Sequence, residues 1–390
     1  MAAAFRRVLC LGKSYSNCPW LFVARLQSTV ASAKFHLSEY KLFKLDAGPS
    51  LETECSREDA LKYIEGLQRI RRMETSLGNM YKEKRIRGFC HLSSGQEAIA
   101  IGIEAALQPG DAITTAYRCH GYTITRGASV HSVLAELAGR ATGVSAGKGG
   151  SMHLYFKDFF GGNGIVGAQV PLGTGVGLKM KLRGEKTVSV TLFGDGAANQ
   201  GQVFEAFNIA KLWNLPVIFV CENNKYGMGT SACRAAANVE FYTRGDYIPG
   251  LWVDGMDVLT VREAFRFARD WCVSGKGPIL LEAETYRYHG HSMSDPGTSY
   301  RTREEIQTIR RTKDPIHLFE HRLTESNLAT PEELKAIEKK IRQEVDKDTE
   351  QCLADPEPAL DERFTHLYHS NPPGVLVRGC DLGIWYNPSK

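Results

Sequence analysis

The sequence predicts an α/β fold: a mostly parallel sheet flanked by helices, with a helical C-terminal extension. Two observations carry that expectation. Between positions 187 and 221 an apolar strand, a helix and a second apolar strand succeed one another within 35 residues. That is a βαβ unit, whose strands are parallel and whose crossover is right-handed. After residue 303 the alternation stops and charged helical sequence takes over. With 390 residues, 43% hydrophobic and 24% charged, the chain can bury a core for one large domain or two moderate ones.

The elements follow in order. Residues 1–28 read as a mitochondrial transit peptide. The first acid is Glu39, and Arg6, Arg7, Lys13 and Arg25 are interspersed with Ser14, Ser16 and Ser28. Cleavage near Gln27 would remove four positive charges and leave a neutral chain. Residues 29–55 form an N-terminal arm. A long helix covers 56–87, opened by Ser56 and Asp59 in a capping-box-like arrangement, with Leu61, Ile64, Leu67, Ile70, Met73, Leu77 and Met80 on one face. A second helix covers 96–107, a strand 112–116 and a short helix 130–138. The glycine-rich stretch 143–177 supplies loops whose backbone approaches a ligand closely, and Pro171 sits in the first turn of a helix ending near Leu182. The βαβ unit follows, then strands at 251–253, 258–261 and 278–287, with a helix at 262–273. These elements make 56–303 the α/β domain. The extension, 304–390, contains a helix from Thr330-Pro331-Glu332-Glu333 to about Leu353.

Some functions are disfavoured. The formal charge of +4 gives no basis for nucleic-acid binding. No apolar run of 18 residues exists to span a membrane. Ten cysteines without CxxC spacing read as reduced, mostly buried thiols and not as a zinc site.

The chemistry lies at strand ends, where open parallel sheets place their ligands. One strand of the βαβ unit ends in Gly194-Asp195-Gly196 and the next in Glu222-Asn223-Asn224. Parallel pairing brings these ends roughly 5–10 Å apart. Asp195 offers a carboxylate oxygen, Asn224 an amide oxygen and Tyr226 a backbone carbonyl. Phosphate oxygens and water would complete an octahedron of hard oxygen ligands, which suits Mg2+ held against a diphosphate. The following helix aims its N-terminal N–H groups at the same anion. The combination of strand, Gly-Asp-Gly, helix, strand and Asn-Asn is the thiamine-diphosphate signature.

Four long runs extend the match: GFCHLSSGQEA, GGSMHLYFKDFFGGNGIVGAQVPLGTG, FGDGAANQGQVFEAFNIAKLWNLPVIFVCENNKYGMGTS and YRYHGHSMSDPGTSYRTREEI. In these the chain resembles the alpha subunits of thiamine-diphosphate-dependent 2-oxoacid dehydrogenases, in particular the first component of mitochondrial pyruvate dehydrogenase (acetyl-transferring). The resemblance covers 56–325 densely and the tail loosely. It implies the thiamine diphosphate-binding fold, thiamine diphosphate and Mg2+ as cofactors, and residence in the mitochondrial matrix. It also implies site residues. Tyr117, Arg118, Gly196 and Ala197 fall at diphosphate positions, Gly164 and Val166 at backbone contacts to the aminopyrimidine, and Asp195, Asn224 and Tyr226 at the metal. His91 and Arg118 fall near the oxoacid, and His291 at the active-site histidine.

Activation of the cofactor needs a carboxylate from a second α/β domain, for which this chain has no room. The resemblance accordingly implies a beta subunit, in a heterotetramer of two alpha and two beta chains. The acceptor is implied to be the lipoyl domain of a dihydrolipoyl acetyltransferase component. Ser231, Ser292 and Ser299 match inhibitory phosphorylation sites served by a regulatory kinase and phosphatase. The chain departs from the pattern at Ser93-Ser94, at Phe156, expected to narrow the active-site wall, and at Cys233 beside Ser231. A branched-chain 2-oxoacid dehydrogenase alpha subunit shares the metal signature but differs in the GNGIVGAQ and HGHSMSDPG segments. A catalytically silent regulatory subunit is the non-enzymatic alternative, and the intact Asp195/Asn224 pair argues against it.

Overall fold

The computed structural model describes residues 30–366, 376–378 and 383–386. The expected transit peptide lies outside them. Strands β1 (Ser32–His36), β2 (Lys41–Phe43) and β3 (Glu52–Ser56) lead into helix α1 (Arg57–Lys82), followed by α2 (Glu97–Ala106), β4 (Ala112–Thr114), α3 (His120–Thr125), α4 (Val130–Leu137) and α5 (Gln169–Leu182). Next come β5 (Ser189–Gly194), α6 (Gly201–Leu212), β6 (Val217–Asn223), the small hairpin β7 (Tyr226–Gly227) and β8 (Thr230–Ser231), and α7 (Ala232–Ala235). The sheet resumes with β9 (Gly250–Asp254), α8 (Val258–Trp271) and β10 (Ile279–Glu284). Helices α9 (Arg303–Lys313), α10 (Pro315–Glu325) and α11 (Pro331–Ala354) then precede the short pair β11 (Val377–Arg378) and β12 (Trp385–Tyr386).

The main sheet has the order β2-β9-β10-β6-β5-β4. Its strands are parallel except β2, which pairs antiparallel with β9 at the edge. Period-two side-chain alternation divides the core between its two faces. Ile218, Val220, Leu251, Val253 and Leu281 pack with α1, α2 and α8, whereas Val217, Phe219, Cys221 and Leu280 pack with Val203, Ala206 and Phe207 of α6. Both faces are covered, so β6 is buried along its whole length.

The long helix begins as the sequence predicts. Ser56 caps it by accepting from the Asp59 N–H at 3.1 Å, but it ends at Lys82 instead of reaching 87. The strand expected at 258–261 is instead the first turn of α8. The apolar run Val-Leu-Thr-Val suits either element, and the cap decides between them: Asp257 accepts from the Leu259 N–H at 3.1 Å and from the Thr260 hydroxyl at 2.7 Å. In the extension, Thr330 and Glu333 form a reciprocal capping box. Helix α11 packs on α1 and α4, with ion pairs Arg57–Glu333 at 2.6 Å and Arg69–Glu344 at 3.5 Å. Seven described cysteines are free; all are buried except Cys233.

Candidate active site

Pairing of Gly194 with Glu222 puts the carboxyl ends of β5 and β6 level. A cavity of about 220 Å³ opens there, lined by Tyr117, Arg118, Val166, Asp195, Gly196, Ala197, Asn224, Tyr226 and His291 among the residues the sequence singled out. A larger cleft of about 680 Å³ lies on the other side of the 223–228 segment, sharing Tyr226 and bordered by Ser231 and charged residues; Asp195 and the histidines are absent from its walls.

The three expected metal ligands stand together. Arg287 reports on their convergence, because one guanidinium nitrogen donates to Asn224 Oδ1 at 3.3 Å and to the Tyr226 carbonyl at 2.6 Å. Gly196 and Gly227 meet across the cavity wall; a Cβ on Gly227 would lie 3.0 Å from Gly196 Cα and 4.0 Å from Asp195 Oδ2. Asp195 is buried and makes no ion pair among the described residues. Burial raises its carboxyl to about 6, against the opposing pull of nearby N–H groups and of Arg287. An under-compensated buried carboxylate beside two converging oxygens is the arrangement a hard divalent cation satisfies. The donor set therefore fits the ion.

Tyr117 and His291 form the aromatic end of the cavity, and the His91 ring packs against both. Ring centroids lie 4.4 Å apart for His91–Tyr117, 5.3 Å for His91–His291 and 5.5 Å for Tyr117–His291. Both imidazoles are held well below the ordinary histidine range. Burial, then Arg118 and His291, push His91 down to about 2; burial, then Arg118 and Arg287, push His291 down to about 4. His91 Nδ1 is buried without a hydrogen-bond partner, as is Gln169 Oε1 at the cavity wall. Arg118 is buried and donates to the carbonyls of Leu92 and His291, forming no ion pair among the described residues. A desolvated cation with neutral partners retains its charge for an incoming anion.

A fully buried network fixes His91. The Glu74 carboxylate accepts from Ser93 N–H at 3.1 Å and Ser93 Oγ at 2.6 Å, and contacts His120 Nδ1 at 3.1 Å. His120 Nε2 meets Ser151 Oγ at 2.9 Å, and Ser151 Oγ accepts from the His91 N–H at 3.4 Å. Burial opposes the Glu74 charge, but the His120 contact and the Ser93 hydrogen bonds outweigh it and hold the carboxyl below its ordinary range. Ser93, one of the departures from the family pattern, thus has a defined partner.

Two expectations about the walls change, those for Phe156 and for the glycines of 143–150. Phe156 does not line the cavity; it is 40% exposed and lies beside Gly127. Gly164 neighbours the cavity segment through Val166, and a Cβ on it would lie 3.4 Å from the His153 ring. The glycines of 143–150 wrap not a ligand but the buried Glu136 carboxylate, which accepts from the N–H groups of Ser145, Gly147, Gly149 and Gly150 at 2.6–3.1 Å.

The loop carrying His291 is folded over the cavity. Asp295 accepts from the N–H groups of His291 and Gly297 and from the Tyr300 hydroxyl, and Arg301 donates to the Arg287 and His289 carbonyls. Ser292 is buried there, 2.8 Å from Ser294 Oγ, whereas Ser299 is exposed. Ser231 lies 3.3 Å from the Cys233 thiol.

Sequence reasoning missed Gln96, Gln169, Glu222 and Arg287 in the lining. Glu222 accepts from the Tyr122 hydroxyl at 2.6 Å, and burial raises its carboxyl to about 7. Arg287 follows the end of β10 by three residues; the strand-end rule that found Asp195 and Asn224 also reaches it.

Residues 65–361 match the model of the Dehydrogenase E1 component family. The chain belongs to the dehydrogenase E1 component family. E1 dehydrogenases depend on thiamine diphosphate, in keeping with a cavity closed by one Gly-Asp-Gly turn and one Asn-Asn strand end. Curated E1 relatives align over nearly the full length. The chain is 61% identical to the Caenorhabditis elegans protein named probable pyruvate dehydrogenase E1 component subunit alpha, mitochondrial, over 92% of this chain and 89% of the relative. It is 58% identical to the Ascaris suum mitochondrial type II subunit alpha, over 90% and 89%. It is 57% identical to the Homo sapiens somatic-form subunit alpha, over 98% of each.

Proposed function

We propose that this E1 chain is the alpha subunit of a mitochondrial pyruvate dehydrogenase. With a beta subunit, in a heterotetramer of two alpha and two beta chains, it decarboxylates pyruvate oxidatively and reductively acetylates a lipoyl group of the dihydrolipoyl acetyltransferase component, feeding acetyl-CoA formation. The observation that carries this reading is the cavity in which Asp195, Asn224 and Tyr226 converge beside Arg118 and His291, with the His91 ring packed against His291. The names of the relatives support pyruvate as substrate and the mitochondrial matrix as location. The domain limits 1–28, 29–55, 56–303 and 304–390 belong to the same reading.

The residues divide the work. Asp195 Oδ, Asn224 Oδ1 and the Tyr226 carbonyl would hold Mg2+ beside the diphosphate, and Arg287 donates to two of those oxygens. Tyr117, Gly196, Ala197 and His291 border the diphosphate; the backbones of Gly164 and Val166 border the aminopyrimidine. What thiamine diphosphate supplies when bound is a carbon nucleophile and an electron sink for loss of carbon dioxide. Arg118 offers its buried charge to the pyruvate carboxylate. His91, neutral and fixed by the Glu74 network, offers a hydrogen bond to the oxygen that gains charge. Ser231, Ser292 and Ser299 are the sites through which a kinase and phosphatase regulate the enzyme. A phosphate on Ser292 adds about −1.5 to −2 charge inside a closed loop that has no room for it.

The test is a substrate series from pyruvate to 3-methyl-2-oxobutanoate with the matched beta subunit. Pyruvate is expected to lead in kcat/KM by at least about 10-fold, the scale on which a pocket discriminates single methylene groups. A preference for the branched substrate would reassign the chain to the branched-chain enzyme.

A further inference from the structure

The segment joining α1 to the cavity carries a net positive charge, four cations against the single acid Glu83. Residues 82–89 read Lys-Glu-Lys-Arg-Ile-Arg-Gly-Phe. Lys82, Lys84, Arg85 and Arg87 are exposed, and among the described residues none of the four takes part in an ion pair, although most cations of α1 do, such as Arg69, Arg71 and Arg72. The strip has a fixed place. Ile86 and Cys90 are buried and pin it. The Cys90 carbonyl accepts from the Met293 N–H at 2.9 Å, which ties the strip to the loop bearing His291 and Ser292. At its inner end Phe89 is 60% exposed, and its ring lies 5.9 Å from His91. Across the loop, exposed Arg310 and Arg311 of α9 add charge of the same sign. Arg310 stands 5.6 Å over the ring of Tyr288, at the start of that loop.

The strip is therefore a cationic edge with one exposed aromatic at the mouth of the cavity. Uncompensated like charges repel one another and do not stabilise the fold. They do steer an oppositely charged partner and set its orientation. A small anion needs no edge eight residues long. The acyl acceptor, by contrast, arrives on a folded protein, must reach the cavity in every turnover, and must then leave. Weak, fast, electrostatically guided docking suits that traffic.

We propose that residues 82–89 form the docking edge for the lipoyl-bearing carrier domain, and that this domain presents an acidic face beside its lipoyl-lysine. The proposal rests on the reading above that the acceptor is a protein-borne lipoyl group.

The experiment compares wild-type heterotetramer with Lys84→Glu/Arg85→Glu/Arg87→Glu and with the milder Lys84→Gln/Arg85→Gln/Arg87→Gln. Three acceptors are used: ferricyanide, free lipoamide and a purified lipoylated carrier domain. The ferricyanide rate, the pyruvate KM and the lipoamide KM are expected to stay within about two-fold of wild type, because these small reactants do not use the edge. The KM for the lipoylated domain is expected to rise about 10-fold with the glutamates and less with the glutamines. Raising salt from about 20 to about 200 mM should weaken only the wild type's use of the domain. An unchanged KM for the domain would overturn the proposal. So would an equal rise in the pyruvate KM, which would make the strip a substrate funnel, or loss of heterotetramer assembly in both variants, which would make it a subunit interface. Absence of ferricyanide reduction by the wild type would instead defeat the functional reading itself.

Discussion

At the scale of single residues, the site is governed by what burial does to charge. His91 and His291 sit beside Arg118, and desolvation adds to the repulsion, so both imidazoles are neutral at pH 7. The consequence for stability has a definite sign. A histidine whose folded-state pKa lies far below 6.5 makes no such contribution above pH 6.5. As pH falls below 6.5, the unfolded chain takes up a proton that the folded chain refuses, and stability is lost. For His91 the loss reaches about 2 kcal/mol at pH 5. Replacing His91 with Gln removes this dependence. The destabilisation caused by the substitution, read from denaturation curves, is thus expected to shrink between pH 7 and pH 5. A gap that stayed constant with pH would show that His91 protonates freely in the folded protein. Glu74, His120 and Ser151 act at the same scale by holding the His91 backbone. Their pairing was not legible in the sequence, because positions 74, 93, 120 and 151 meet only after α1, α3 and the glycine-rich segment have packed.

At the scale of elements, close packing and loop closure make separate predictions. Helix α2 approaches α8 closely because position 102 is glycine; a Cβ there would lie 2.6 Å from the Val261 side chain and 2.9 Å from the Val258 carbonyl. Gly102→Ala is expected to cost about 1–3 kcal/mol, visible as a lowered Tm, and an unchanged Tm would mean that the helices separate without penalty. In the loop that follows β10, Ser292 is buried under bonds from Arg118, Arg301 and the Asp295 turn. A kinase reaches it only when the loop opens, and ligands bound beneath the loop oppose opening. Saturating thiamine diphosphate and magnesium should therefore slow phosphate incorporation at Ser292 but leave exposed Ser299 less affected, as site-resolved mass spectrometry would report. Equal slowing at both would point to a general effect on the kinase. The elements themselves were unevenly legible. The strands and helices of the βαβ unit follow directly from period and length. Helix α3 was missed because His-Gly-Tyr-Thr-Ile-Thr has little helical propensity of its own, and the opening of α8 was misread because its cap outweighs a β-branched run. Strand β2 was missed since its three residues gain their identity only by pairing with β9.

At the scale of the whole molecule, the proposed function makes the chain half of a catalytic centre. Tyr155, Phe160, Ile165, Val166, Leu172 and Met228 are exposed, and Val166 and Met228 border the cavity. An exposed apolar rim of this kind is a surface awaiting a partner, and the beta subunit is the partner proposed. The strand-end residues were legible because parallel topology dictates where Asp195 and Asn224 emerge. Arg287 lies within reach of the same rule, but its partners, the Asn224 and Tyr226 oxygens, show only once the 224–228 segment has folded against it. The most direct test of the central claim is a thiamine diphosphate binding titration on the assembled heterotetramer, with and without magnesium, for wild type and for Asp195→Asn. The wild type should bind tightly only with magnesium, and the variant should lose affinity by at least about 100-fold and gain little from the metal. A variant that bound the cofactor as the wild type does, with the same response to magnesium, would contradict the account.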